Sequence, residues 1–104
     1  MNPDYKKFYS MIGLATRAGK VRTGTFLALR ELRSGRGCLV ILAKDASDGS
    51  SKKILNACTS HHVPVITAGT MEEIGHAAGD QERTCVCITD ERFAQTLMNL
   101  FDAL

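Results

Sequence analysis

Cys38-Leu39-Val40-Ile41-Leu42-Ala43 is an unbroken apolar run of strand length. A strand with one wet face alternates apolar and polar residues. A run without a polar interruption must be covered on both faces, as in a sheet sandwiched between helices. Pro64-Val65-Ile66-Thr67 and Thr84-Cys85-Val86-Cys87-Ile88-Thr89 have the same character. Val21-Arg22-Thr23 makes only a short, polar strand and belongs at an edge.

The segments between these strands read as helices. Tyr5, Phe8, Ile12 and Ala15 recur at helical spacing and predict a first helix over residues 3–18, with Pro3 in its first turn and Gly19 as its stop. A second helix spans about residues 25–34, with Ala28, Leu29 and Leu32 inward, and ends at Gly35. After Lys44 comes a polar loop with a capping Ser or Asp near its end, then a helix over 52–60 with Ile54, Leu55 and Cys58 as its apolar stripe. Thr70-Met71-Glu72-Glu73 is a T-x-x-E capping box and opens a helix over 71–78. Asp90 caps a last helix with Phe93, Leu97, Leu100 and Leu104 on one face. Strict alternation with short connections predicts an α/β protein, a three-layer α/β/α sandwich with a mixed four-stranded sheet, forming a single domain over residues 1–104.

At 104 residues the chain can bury one core without metal or disulfide support. No apolar run is long enough to span a bilayer, and Met1 to Lys7 lacks the basic-then-apolar order of a signal peptide. The expected compartment is therefore the cytoplasm, without a membrane partner. The four cysteines make no C-x-x-C pair, so they read as buried thiols rather than zinc ligands or redox centres. A net charge of +2 decides nothing alone. Its distribution is more informative: Lys6, Lys7, Arg17, Lys20, Arg22, Arg30, Arg33 and Arg36 crowd the first third, against Asp4 and Glu31. That asymmetry suits a polyanion footprint, or a set of solvated helix faces.

The basic third contains Gly19-Lys20-Val21-Arg22-Thr23-Gly24-Thr25, just ahead of the second helix. A helix start leaves backbone N–H groups without intrahelical partners at the positive end of the helix dipole, where phosphate oxygens bind well. Lys20 and Arg22 are expected to add charge at the same place. The stretch is not a nucleotide-cradling P-loop: Gly13 lies one residue too far from Gly19, and Val21 replaces the magnesium-binding hydroxyl. A plain solvated turn remains the alternative.

The Gly19–Thr25 residues, the helix ending at Ser34-Gly35, and Leu39-Val40-Ile41-Leu42-Ala43-Lys44-Asp45-Ala46-Ser47 together resemble the ribosomal-protein superfamily that binds RNA kink-turns. Val63-Pro64-Val65, Ile74-Gly75-His76-Ala77-Ala78-Gly79 and Val86-Cys87-Ile88-Thr89-Asp90 continue the resemblance in order. The Ala-Lys-Asp-Ala-Ser run is similar to the bacterial YlxQ-type branch. The resemblance implies a sandwich that grips a sharply bent RNA duplex with the glycine turn and the next helix start, while the loop after the Gly75/Gly79 helix covers bulged bases. Carried over, the RNA-binding residues are Gly19, Lys20, Arg22, Thr23, Gly24, Thr25, Phe26, Leu27, Arg30 and Arg83.

Two departures stand out. Family members often continue the turn with Asn-Glu, polar side chains that read guanine edges, whereas this chain has Phe26 and Leu27. Neither can hydrogen-bond a base edge. Phe26 can stack on a base or cover the core. The loop Asp80-Gln81-Glu82-Arg83 is also acidic for a phosphate neighbour.

No nucleophile–base pair emerges anywhere. His61 and His62 are consecutive, His76 reads as a packing residue, and Asp45 and Asp48 read as loop caps. The expectation is a noncatalytic, monomeric RNA-binding protein without cofactor, whose partner is structured, ribosomal RNA, on the ribosome or its assembly intermediates. The alternative is a protein-interaction module of the translation machinery that has lost specific RNA readout.

Overall fold

The structure is a computed structural model describing residues 5–104. Along the chain run α1 (Tyr5–Arg17), β1 (Val21–Thr23), α2 (Thr25–Arg33), β2 (Leu39–Leu42), α3 (Asp48–Ser60), β3 (Val65–Thr67), α4 (Met71–Ala77), β4 (Cys85–Ile88) and α5 (Glu91–Asp102). This is the expected alternation; Pro3 lies outside the described residues. No described helix is long and apolar enough to cross a membrane.

The strands form one sheet in the order β1-β4-β2-β3. β4 is antiparallel to both neighbours, placing Val21 opposite Ile88 and Leu42 opposite Cys85. β2 and β3 are parallel, with Val40 opposite Val65. The sheet is therefore mixed, and the polar β1 does take an edge.

Successive side chains leave a strand on opposite faces, and β2 and β4 each feed two cores. Leu39, Ile41, Val86 and Ile88 meet Phe8 and Ile12 of α1, Ile74 of α4 and Leu97 of α5. Val40, Leu42, Cys85 and Cys87 meet Ala28 and Leu32 of α2, with Ile54 and Cys58 of α3. Every residue of β2 and β4 is buried. Each large aliphatic side chain so buried contributes about 1.5–3 kcal/mol, which is why an unbroken apolar strand settles in the centre. Burial also raises the thiols of Cys58 and Cys85 to about 11 and Cys87 to about 12, so they pack as neutral hydrophobes.

Three expectations about helices need correction. α3 begins at Asp48 rather than at 52, because Ser47 Oγ accepts from the Ser50 N–H at 3.2 Å and so caps a first turn without apolar periodicity. On its flank Leu55 is exposed rather than packed. In α5, Ala94 joins Leu97 in the core, while Leu104, past the helix end, is exposed.

The helix starts behave as the caps dictate. Thr70 and Glu73 close a reciprocal capping box on α4, and Asp45 adds a bond from the Met71 N–H at 2.7 Å. Asp90 Oδ1 accepts from the Arg92 and Phe93 N–H groups at 2.9 and 3.0 Å.

Candidate nucleic-acid interface

Gly19 and Gly24 bracket β1. Gly19 (φ 75°) ends α1, donating to Thr16, and the Lys20 N–H donates to Ala15. The Lys20 carbonyl accepts from Thr89, past one end of β4, whereas the Gly24 N–H donates to Cys85, at the other end. Lys20 and Gly24 thus sit at opposite ends of an edge strand, roughly 13 Å apart at strand rise. The expectation that Lys20 adds its charge beside the helix start is corrected: an extended strand, not a compact turn, separates them.

Gly24 has φ 90° and ψ 166°, a region essentially reserved for glycine. This backbone turns the edge strand directly into α2. The first helical bond runs from the Ala28 N–H to the Gly24 carbonyl. No side chain caps the helix, no acid lies in its first turn, and the N–H groups of Thr25, Phe26 and Leu27 have no acceptor among the described residues. By contrast α3, α4 and α5 each start with a capping side chain and an acidic first turn. The positive end of the α2 dipole is left open.

Residues 80–84 pack beside this helix start. Thr23 Oγ1 donates to Asp80 Oδ2 at 3.2 Å, and the Thr25 and Thr84 hydroxyls share a hydrogen bond at 2.7 Å. Asp80 Oδ1 also accepts from the Gln81 N–H at 2.8 Å and from Arg83 Nη2 at 3.0 Å. The Gln81 amide first, then the Arg83 charge and the Thr23 hydroxyl, hold the Asp80 carboxyl below its ordinary range. This acid is spent on fastening the loop. Arg83 Cδ lies 3.8 Å from where a Gly24 Cβ would stand, so Arg83, not Lys20, is the cation brought to the glycine.

The loop depends on Gly75, where a Cβ would stand 1.9 Å from the Gln81 carbonyl oxygen. Only a residue without a side chain lets 80–83 lie on α4.

Arg22 is turned to the protein's own groups. Its Nη1 donates to the Val21 carbonyl at 2.9 Å and to Gly19 at 3.3 Å, and its Nε lies 3.5 Å from Glu31 Oε1. Glu31 is 3% exposed and also takes Arg36 on its other oxygen. This carboxylate sits in the charged run Arg30-Glu31-Leu32-Arg33, and its spacing of three residues from the inward Ala28 is the signal of its burial.

Phe26 is 77% exposed, so it does not cover the core. Leu27 is half-buried and Arg30 exposed. The arrangement brings together Thr23, Gly24, Thr25, Phe26, Leu27 and Arg83, with Arg30 one turn along α2. It leaves Gly19 and Lys20 at the far end of β1.

A mixed-sheet α/β/α sandwich with an uncapped second helix behind an edge strand places the chain among the L7Ae-like α/β folds. The chain belongs to the Ribosomal protein L7Ae/L30e/S12e/Gadd45 family, whose model matches residues 6–98. The RNA-binding protein YlxQ of Bacillus subtilis (strain 168) is 35% identical over 92% of this chain and 96% of its own length. The RNA-binding protein YlxQ of Enterococcus faecium is 32% identical over 93% of each. This chain is thus of the YlxQ type. A Bacillus halodurans protein of unknown function shares the fold at TM-score 0.88 and 35% identity, over 92% of this chain and 97% of its own. The Giardia lamblia 15.5kD RNA binding protein superposes at TM-score 0.74 with 17% identity, over 99% and 96%, a likeness of fold.

Proposed function

We propose that this chain is a noncatalytic RNA-binding protein that grips a kink-turn or similarly bent structured RNA, ribosomal in origin, through the Gly24 turn and the start of α2. It acts in the cytoplasm as a monomer, on the ribosome or its assembly intermediates. The observation that carries this reading is the open start of α2, where three amides lack acceptors beside exposed Phe26. Relatives named as RNA-binding proteins over nearly the whole chain support it.

In this reading the amides of Thr25, Phe26 and Leu27 take phosphate oxygens, Gly24 lets the backbone approach, Arg30 supplies charge, and Arg83, paired with Asp80, offers only its remaining N–H groups. Thr23 and Thr25 hold the 80–84 loop against the site. Arg22 acts by position, tying β1 to α2 through Glu31. Gly19 and Lys20 sit at the far end of β1, roughly 13 Å from Gly24 at strand rise, outside this cluster, and contribute less. RNA shape supplies the selectivity, since Phe26 and Leu27 offer no hydrogen bonds to base edges.

The test is a gel shift comparing a standard kink-turn duplex with its straightened mutant, joined to a salt titration. The bent duplex is expected to bind more tightly. Arg30→Ala should flatten the slope of log affinity against log salt by about 0.7–0.9 for a lost phosphate contact, and Lys20→Ala by much less. Equal affinity for both duplexes removes the shape readout. One observation favours a second reading: exposed Phe26 suits a protein anchor. A pull-down that survives nuclease, with no affinity for bent RNA, would establish it.

A further inference from the structure

Phe26, Leu29, Arg30, Arg33 and Ser34 line a shallow groove along the outer face of α2. Phe26, Arg30 and Arg33 recur at helical spacing and share one face, turned away from the sheet that Ala28 and Leu32 cover. Glu31, between the two arginines, faces inward to Arg22 and Arg36. Among the described residues no carboxylate pairs with Arg30 or Arg33. The groove is an apolar floor with an exposed aromatic ring at one end and two unneutralised guanidinium groups beside it.

We infer that this groove is a stacking slot for one unpaired nucleobase, whose flanking phosphates lie on Arg30 and Arg33. The inference rests on the RNA-binding reading and adds a ligand to it. A nucleobase is flat and apolar on its faces and is tethered to anions on either side, which matches ring, floor and cations together. The Phe26 N–H is itself one of the unclaimed amides at the start of α2. A phosphate held there keeps its nucleotide within reach of the Phe26 ring. The base must be unpaired, because a base within a duplex already has both faces covered by its neighbours. Stacking tolerates any base, so the slot selects for an unstacked nucleotide rather than for its identity.

The test uses an RNA duplex interrupted by an internal loop of unpaired adenosines, and the same duplex with abasic riboses in the loop. The wild-type protein should prefer the adenosine loop by about 5- to 150-fold. Phe26→Ala should erase that preference, so that the two duplexes bind alike. The chain has no tryptophan, so Phe26→Trp provides a single reporter whose emission the adenosine loop should quench and the abasic loop should not. Arg30→Gln and Arg33→Gln should weaken both RNAs alike and flatten the salt dependence. Equal wild-type affinity for the two duplexes, or a preference that survives Phe26→Ala, overturns the slot and leaves RNA binding standing. Binding to neither duplex while a kink-turn duplex is bound overturns the slot alone; binding to none of the three overturns the RNA reading and the slot with it. Quenching by polyglutamate but by neither RNA assigns the groove to an acidic protein partner and overturns the proposal.

Discussion

Gly75→Ala tests whether the 80–83 loop is fixed by its contact with α4. The methyl group would stand 1.9 Å from the Gln81 carbonyl oxygen, 2.6 Å from its carbon and 2.8 Å from Glu82 Cα. All three are backbone atoms, so no rotamer change relieves them. Restoring ordinary contact moves the loop by roughly 1.5 Å in a tightly packed region. Overpacking of this kind costs about 1–3 kcal/mol. The Asp80 to Thr23 and Thr84 to Thr25 bonds are strained as well, at about 0.5–1.5 kcal/mol each. Against this, alanine is favoured over glycine inside a helix by about 1 kcal/mol. The expected net loss is about 1–5 kcal/mol, a fall in melting temperature of roughly 4–8 °C for each kcal/mol. RNA affinity should drop at the same time, because Arg83 and Thr84 move away from Gly24 and Thr25. Gly49 is the control: it lies in α3 with open space around its would-be Cβ, and Gly49→Ala should stabilise by about 0.4–1 kcal/mol. Thermal melts and gel shifts of both variants decide the matter. A Gly75→Ala protein that melts at or above the parent and binds RNA normally would refute the argument.

Glu31→Gln leaves Arg22 and Arg36 without their buried carboxylate; we expect a loss of about 1.5–3 kcal/mol in urea unfolding, in the range for hydrogen bonds to charged groups. For Asp80 the sign is set by its lowered folded-state pKa: the loop fastening is complete above the unfolded value of about 3.9 and is lost as pH falls through the lower folded one. The Gln81 amide resonance should therefore titrate below that unfolded value, and an inflection above it would contradict the assignment. At neutral pH a thiol reagent should leave Cys58, Cys85 and Cys87 unmodified in the native protein, since burial raises all three, and should reach them only on unfolding. Mass spectrometry of the labelled protein reads the outcome.

Much of the architecture was legible because apolar pattern and caps agree. The unbroken run over 38–43 announced a strand covered on both sides, and Leu39/Ile41 against Val40/Leu42 feed the two cores. Thr70 with Glu73, and Asp90, declared helix starts through groups that satisfy orphan amides. The start of α3 was misread because its first turn is Asp48-Gly49-Ser50, where periodicity is silent and the Ser47 cap is the only signal. The site was half legible. Gly24 and the helix start could be read from residue types, but Lys20 could not be separated from them without the pairing of β1 along β4. Asp80 looked adverse to phosphate because composition does not show that a carboxylate already has three donors. Whether Phe26 faced in or out depended on the helix's rotation about its axis, which adjacent Leu27 and Leu29 left open.

The order of the strands bears on how the protein is made. β4 comes last in sequence among them, yet it stands between β1 and β2 and bonds to both. A nascent chain that has not yet extruded Cys85–Ile88 therefore carries an edge strand with no neighbour and a gap at the middle of its sheet. Its first two helices can already pack on β2, α3 and α4, but the sheet cannot close until Cys85–Ile88 has emerged. Late closure through distant contacts slows condensation and leaves one hydrogen-bonding edge of β2 unpaired until β4 arrives.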